Sequence, residues 1–150
     1  MSIGSLCSAP AVTIGETTSL IEAAQVMLRE HVGSLVVVKA SNGKQLVCGM
    51  ITDRDLALAL AGSLNPQTTQ VKQVMRSHPT TIRGTDGIYE TVLKMKDAGV
   101  KRLPVVDDFG ALVGIVSADD LIGLLARELS SLSKITDVQI AKEQGHHLIT

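Results

Sequence analysis

Apolar positions along the chain fall into two kinds of block, and the order of blocks occurs twice. Val12-Thr13-Ile14 is a short extended run. Ser19-Leu20-Ile21-Glu22 has the S-x-x-E spacing of a capping box, which predicts a helix start. Leu20, Ala23, Ala24, Met27 and Leu28 recur at three- and four-residue steps, so one helix face is expected to be buried, with Gly33 ending the helix. Leu35 to Val38 is a continuous apolar run suited to a strand covered on both faces. Asn42-Gly43 supplies a tight turn, and Leu46 to Ile51 returns as the hairpin partner. A second helix is predicted from about Asp53 to Ala61.

From Gly62 to Gln70 the chain turns polar, with Asn65-Pro66 as a breaker. The same order of blocks then returns. Thr81-Ile82, Glu90, Met95, Val100 and Leu103 follow Thr13-Ile14, Glu22, Met27, Val32 and Leu35 at a constant shift of 68 residues. After the hairpin turn the shift becomes 65, and Gly114, Asp120 and Leu121 match Gly49, Asp55 and Leu56. A constant offset broken only at a loop is the mark of an internal duplication. The expected fold is therefore α/β, of α+β type. Two β-α-β-β-α repeats are expected to pack together, because neither covers its own sheet alone. The boundaries read as 1–62 for the first repeat, 63–70 for a linker, 71–128 for the second repeat and 129–150 for a helical extension and tail. In that extension Ile122, Leu125, Leu129 and Leu132 stand at helical spacing. Such a stripe either extends the last helix over the core or pairs with another chain, and both readings stay open. The end from Gly145 to Thr150 is expected to be frayed. His146 and His147, adjacent and so pointing apart in any regular element, predict no metal site.

Composition narrows the function. Hydrophobic residues make up 45% of the chain, enough for a core, yet Tyr89 and Phe109 are the only aromatics. Aliphatic side chains must fill the core, and the stacking platforms of single-strand binders are missing. A net charge of −1 argues against a polyanion binder, so no nucleic-acid partner is expected. The N-terminus shows no signal-peptide pattern, and no apolar run has membrane-spanning length. Cys7 and Cys48 form no metal-ligand spacing and read as reduced thiols of a cytoplasmic protein.

Each repeat sets a hydroxyl and a carboxylate three residues apart at a predicted helix start: Thr52 with Asp55, and Ser117 with Asp120. As capping boxes they satisfy the orphan N–H donors of their own helices. As ligand groups, the hydroxyl and free N–H groups face an anion or sugar, while the carboxylate accepts from a vicinal diol. One residue can serve in both roles. Arg102, beside the buried run Leu103 to Val106, suits a phosphate, whereas Lys101 reads as a solvated neighbour. Ser34 holds the place of Arg102 in the first repeat, so the two sites are not electrically alike. Arg54 is a second candidate phosphate contact. No nucleophile–base pair, metal cluster or P-loop appears, so no enzymatic activity is expected.

With G-M-I-T-D-R-D-L and G-I-V-S-A-D-D-L closing the two repeats, the chain resembles the cystathionine-β-synthase (CBS) domain pair. V-K-Q-V-M-R-S-H-P-T-T-I and G-V-K-R-L-P-V-V-D strengthen the resemblance, which covers about residues 3 to 128 and is greatest to small free-standing bacterial pairs. It implies a pseudo-two-fold module with two clefts between the repeats that bind adenosine-containing ligands such as AMP, ADP, ATP, S-adenosylmethionine or NAD. No further cofactor is implied. Asp55 and Asp120, with Thr52 and Ser117 beside them, would hold ribose. Thr13-Ile14 and Thr81-Ile82 would line adenine pockets, and Arg102 would meet phosphate. The full ligand-binding set expected on this basis is Thr13, Ile14, Ser34, Leu35, Thr52, Arg54, Asp55, Thr81, Ile82, Lys101, Arg102, Leu103, Pro104, Ser117, Asp119 and Asp120. Leu6-Cys7, where the second repeat has Val74-Met75, departs from the pattern. The expected role is a non-catalytic sensor that signals through its own homodimer or an unidentified protein partner, with no fused enzyme or channel domain beside it. A structural dimerisation module with empty or degenerate clefts is the alternative.

Overall fold

The computed structural model describes residues 2–7 and 10–146. The elements are β1 Thr13–Gly15, α1 Leu20–Glu30, β2 Ser34–Ser41, β3 Lys44–Thr52, α2 Asp53–Ala61, β4 Arg76–Ser77, β5 Ile82–Arg83, α3 Ile88–Ala98, β6 Arg102–Val106, β7 Leu112–Ser117 and α4 Ala118–His146. They form a mixed α/β fold with one sheet in the order β1-β2-β3-β4 and another in the order β5-β6-β7.

Local signals place most of these elements. Ser19 caps α1 with both bonds of the box, its hydroxyl accepting from Glu22 N–H and its own N–H donating to the Glu22 carboxylate. Asn42 and Gly43 both take positive φ in the β2–β3 turn, as a tight hairpin requires. The end of α1 differs from the sequence expectation. His31, not Gly33, adopts the left-handed C-cap conformation at φ 55°, while a Cβ on Gly33 would lie 3.1 Å from an Asp53 carboxylate oxygen. Gly33 therefore serves the approach of α2, and the turn itself is made two residues earlier. Leu20, Ala23 and Met27 are buried as expected, but Leu28, at the edge of the apolar arc, is 76% exposed.

The two sheets copy each other down to their irregularities. A register shift falls between Val37 and Val38 in the first and between Val105 and Val106 in the second, positions 68 apart. One difference has a chemical cause. Val36 donates its N–H to Val12 O at 3.1 Å, but its counterpart Pro104 has no N–H to give. Accordingly β1 pairs with β2 from Thr13 onward, whereas β5 pairs with β6 only from Ile82.

The leading segments of the repeats cross over. Ile3 and Gly4 donate to Asp86 O and Gly84 O, and Ile3, Leu6 and Cys7 join the core of the second repeat. By the same geometry, Val71 and Lys72 donate to Thr18 O and Glu16 O, and Val71, Val74 and Met75 join the core of the first. β4 then adds to β3 as an antiparallel edge. This crossing explains the glycine that opens each closing motif. A Cβ on Gly114 would stand 3.0 Å from Cys7 Cβ, and one on Gly49 would overlap Met75 Sδ. The hairpin tips also meet, through a Leu46–Ala111 bridge, Val47 N–H to Gly110 O, and Lys44 poised between Asp107 (3.6 Å) and the Phe109 ring (4.4 Å).

The last helix, α4, is 29 residues long and runs on beyond the two cores. Leu121 and Leu124 are buried, but Ile122, Leu125, Leu129 and Leu132 are all exposed. Of the two sequence readings, the one that lays this stripe over the core does not hold. Of the end from Gly145 to Thr150, expected to be frayed, Gly145 and His146 instead continue α4, and residues 147–150 lie outside the described residues.

Candidate functional site

A large cavity of about 1050 Å³ opens where the starts of β2 and β6 face the start of α2 and the crossing strand β4. Thr52 caps α2 within it. Its N–H and hydroxyl donate to Asp55 Oδ2 at 2.8 and 3.0 Å, and Asp55 N–H donates back to Thr52 Oγ1 at 3.2 Å. The structural role of this pair is thus realised, and both bonds to the carboxylate go to one oxygen, Oδ2. Around the pair stand Arg54, Arg76, Lys101, Arg102 and His78, so four cationic side chains face the carboxylates of Asp53 and Asp55. Leu58, Met50, Val100 and Leu103 supply the apolar wall.

Seven residues singled out from the sequence meet here: Ser34, Thr52, Arg54, Asp55, Lys101, Arg102 and Leu103. Thr81 and Ile82 instead line a second cavity of about 440 Å³ with Arg83, Asp86, Glu90 and Lys94. Its charges are already paired: Lys94 with Asp86 at 3.0 Å and with Glu90 at 3.3 Å, Arg83 with Asp108 at 3.3 Å, and Asp107 with Lys44 from outside the cavity at 3.6 Å. The Asp86 carboxyl sits below its ordinary pKa, held mainly by the Arg83 N–H and also by Lys94, which is raised in turn by Asp86. Thr13, Ile14, Leu35 and Pro104 border neither cavity; Ile14, Leu35 and Pro104 are core residues. Ser117 and Asp120 repeat the capping geometry on α4, with Ser117 N–H and hydroxyl both 2.8 Å from Asp120 Oδ2, and Asp119 is exposed beside them. Neither they nor Asp119 reach the cavity that holds Arg102.

Arg102 and Ser117 are cross-strand neighbours on β6 and β7, yet Ser117 does not line the cavity that holds Arg102. The pseudo-two-fold axis instead sets Arg102 against the cap of the other repeat. Cys7 covers Gly114 close to Asp120, and burial followed by the Asp120 charge raises its thiol pKa. Cys48 is raised likewise by burial and by Glu16, and its thiol donates to Val37 O at 3.4 Å.

The run Arg76 to Thr80 was not among the residues singled out, yet all five line the large cavity. Its signal was in plain view as part of R-S-H-P-T-T, but only the crossing of β4 onto β3 brings it to the first repeat. The counterparts of Arg54, Arg76, Lys101 and Arg102 under the repeat are Asp119, Ser8, Gly33 and Ser34, none of them basic. Among the described residues no group of His, Cys, Asp and Glu could hold a metal ion, and no helix is long and apolar enough to cross a membrane.

Comparison with known proteins accords with this architecture. An uncharacterized protein of Methanopyrus kandleri is 32% identical over 123 residues, 81% of this chain and 61% of the relative. The chain spans less than two thirds of the length of each curated relative compared. A CBS domain protein from Pyrobaculum aerophilum complexed with AMP superimposes with a TM-score of 0.73 at 27% identity, over 80% of this chain and 89% of that one. A CBS domain pair in complex with methylthioadenosine and S-adenosyl-L-methionine gives 0.73 at 26% identity, over 85% and 98%. The CBS domain family model matches residues 3–62 and again 71–127, and the chain belongs to the CBS domain family.

Proposed function

We propose that the chain is a non-catalytic regulatory module that binds an adenine nucleotide in the large cavity and passes the signal through its own dimer or a protein partner. The observation that carries this reading is the meeting of one ribose-type carboxylate, Asp55, with four cations in a single cavity. The capping bonds use Asp55 Oδ2, which leaves Oδ1 outside the cap to accept from a ribose diol. Arg102 and Arg76 supply planar forks for phosphate oxygens, with Arg54 and Lys101 adding charge. Pro104 gives no N–H to the carbonyl of Thr80, a cavity residue, so an exocyclic amine can take that acceptor. AMP in one relative and methylthioadenosine with S-adenosyl-L-methionine in another support the adenosine part. The excess of cations favours a phosphate-bearing ligand over the other two. Two free cysteines suit a reducing cytoplasm.

Ligand-dependent melting tests the reading. A nucleotide at a hundredfold excess over Kd stabilises the native state by about 2.7 kcal/mol, or roughly 5–10 °C for a chain of this size. AMP, ADP or ATP is expected to raise the melting temperature, and Arg102→Ser, which copies the first repeat, is expected to abolish the preference for phosphate. No shift with any of AMP, ADP, ATP, NAD and S-adenosylmethionine would favour the structural-module reading. That second reading has its own support in the capping boxes, which are complete without a ligand.

A further inference from the structure

After Leu124 every residue of α4 from Leu125 to Gly145 is exposed. These residues make a bare rod of about 30 Å at 1.5 Å per residue. Most helical stability in proteins comes from packing of an apolar face, and this helix leaves Leu129 at 67%, Leu132 at 59% and Ile135 at 62% exposure. Its sequence has a seam. Leu125, Leu132 and Gln139 are seven residues apart, and so are Glu128, Ile135 and Lys142, the two series interleaving at three- and four-residue steps.

We infer that this seam pairs with the α4 seam of a second copy of the chain, and that the two helices run antiparallel. Orientation follows from the two charges within the seam. Parallel, in-register pairing would set Glu128 against Glu128 and Lys142 against Lys142 at the centre of the interface, which is repulsive at both places. Antiparallel pairing about a point between Leu132 and Ile135 sets Leu132 on Ile135 of the second copy, twice. It also brings Glu128 within one helical turn of Lys142 of the second copy, again twice by symmetry. Leu125 then covers the aliphatic stem of that lysine. Gln139, which now donates to Glu143 at 2.9 Å, comes opposite Glu128 and can donate to it. The two charged positions that repel their own copies in the parallel orientation attract each other in the antiparallel one. The inference concerns only the dimer part of the proposed function and does not depend on nucleotide binding.

Sedimentation equilibrium of the full chain tests it. The unmodified chain is expected to be a dimer at about 100 µM, and Glu128→Lys or Lys142→Glu alone is expected to raise the dimer Kd about tenfold or more, equivalent to about 1.4 kcal/mol. The double variant E128K/K142E exchanges the charges and is expected to return the Kd to near that of the unmodified chain. In a parallel dimer each single variant only exchanges one like pair for another, so neither single nor double variant would move the Kd. That outcome overturns the inference, as does a monomer throughout, or a dimer that forms through another face and ignores all three variants. Both sites are exposed, so circular dichroism should show the helical content of the unmodified chain in each variant. Nucleotide-induced melting shifts are read separately, so failure of either proposal leaves the other intact.

Discussion

Gly49→Ala probes the crossing of the repeats at its tightest point. Gly49 pairs with Ser77 in the β3–β4 edge, and an added methyl would overlap Met75 Sδ, lie 3.1 Å from Met75 Cγ and 3.2 Å from the Arg76 carbonyl oxygen. Met75 is partly buried against the first core and can swing its thioether, but the Arg76 carbonyl is backbone and moves only with β4. Overpacking of this kind costs about 1–3 kcal/mol; with one yielding and one unyielding neighbour we expect about 2 kcal/mol, or 4–8 °C in melting temperature. Urea unfolding should show a lower midpoint with an unchanged slope. Met75→Ala should be destabilising alone, yet the double variant G49A/M75A should be more stable than the two single costs imply, by about 1–2 kcal/mol, because the new methyl occupies space the thioether vacates. A second readout follows from the cavity wall. Displacing β4 moves Arg76 and His78, so nucleotide affinity should fall in Gly49→Ala and recover in part in the double variant. Stability of Gly49→Ala within about 0.5 kcal/mol of the parent, or strict additivity in the cycle, would refute the claim that close approach dictates this glycine.

Three further outcomes are expected. Gly114→Ala meets Cys7 Cβ at 3.0 Å, an atom with no flexible end, and should cost at least as much as Gly49→Ala while leaving the large cavity unaffected. Asp55→Ala and Asp120→Ala should each cost about 1 kcal/mol in chemical denaturation through the lost caps, but only Asp55→Ala should weaken nucleotide binding in the large cavity, by tenfold or more in calorimetry. Asp86, whose folded pKa is lowered, contributes stability that is complete above the unfolded carboxyl value of about 4 and is lost as pH falls through the lower folded value. The stability difference between the parent and Asp86→Asn should therefore be constant near neutrality and shrink in acid, as followed by urea midpoints from pH 6 to pH 2.

Much of this fold is written in short-range signals. The capping box at Ser19, the positive-φ turn at Asn42-Gly43 and the caps at Thr52 and Ser117 act between residues at most three apart, so spacing alone reveals them. The shift of 68 residues, changing to 65 after one loop, likewise needs no coordinates. His31 shows where such reasoning ends. Its left-handed cap took the place assigned to Gly33 because the approach of Asp53, twenty residues further on, decides what Gly33 must do.

The large cavity was legible residue by residue but not as an assembly. Sequence determined the duplicated hairpin-and-helix units, their caps and the electrical inequality of Ser34 and Arg102. Only tertiary structure decided that Arg102 faces the Thr52–Asp55 cap and not its own neighbour Ser117, that Arg76 to Thr80 complete the wall, and that the stripe on α4 stays uncovered by its own core. The reason is range. A cap or turn is an interaction among bonded neighbours, whereas the cavity exists because each leading segment buries its apolar side chains in the other repeat's core, and that exchange brings together groups that the chain itself holds far apart.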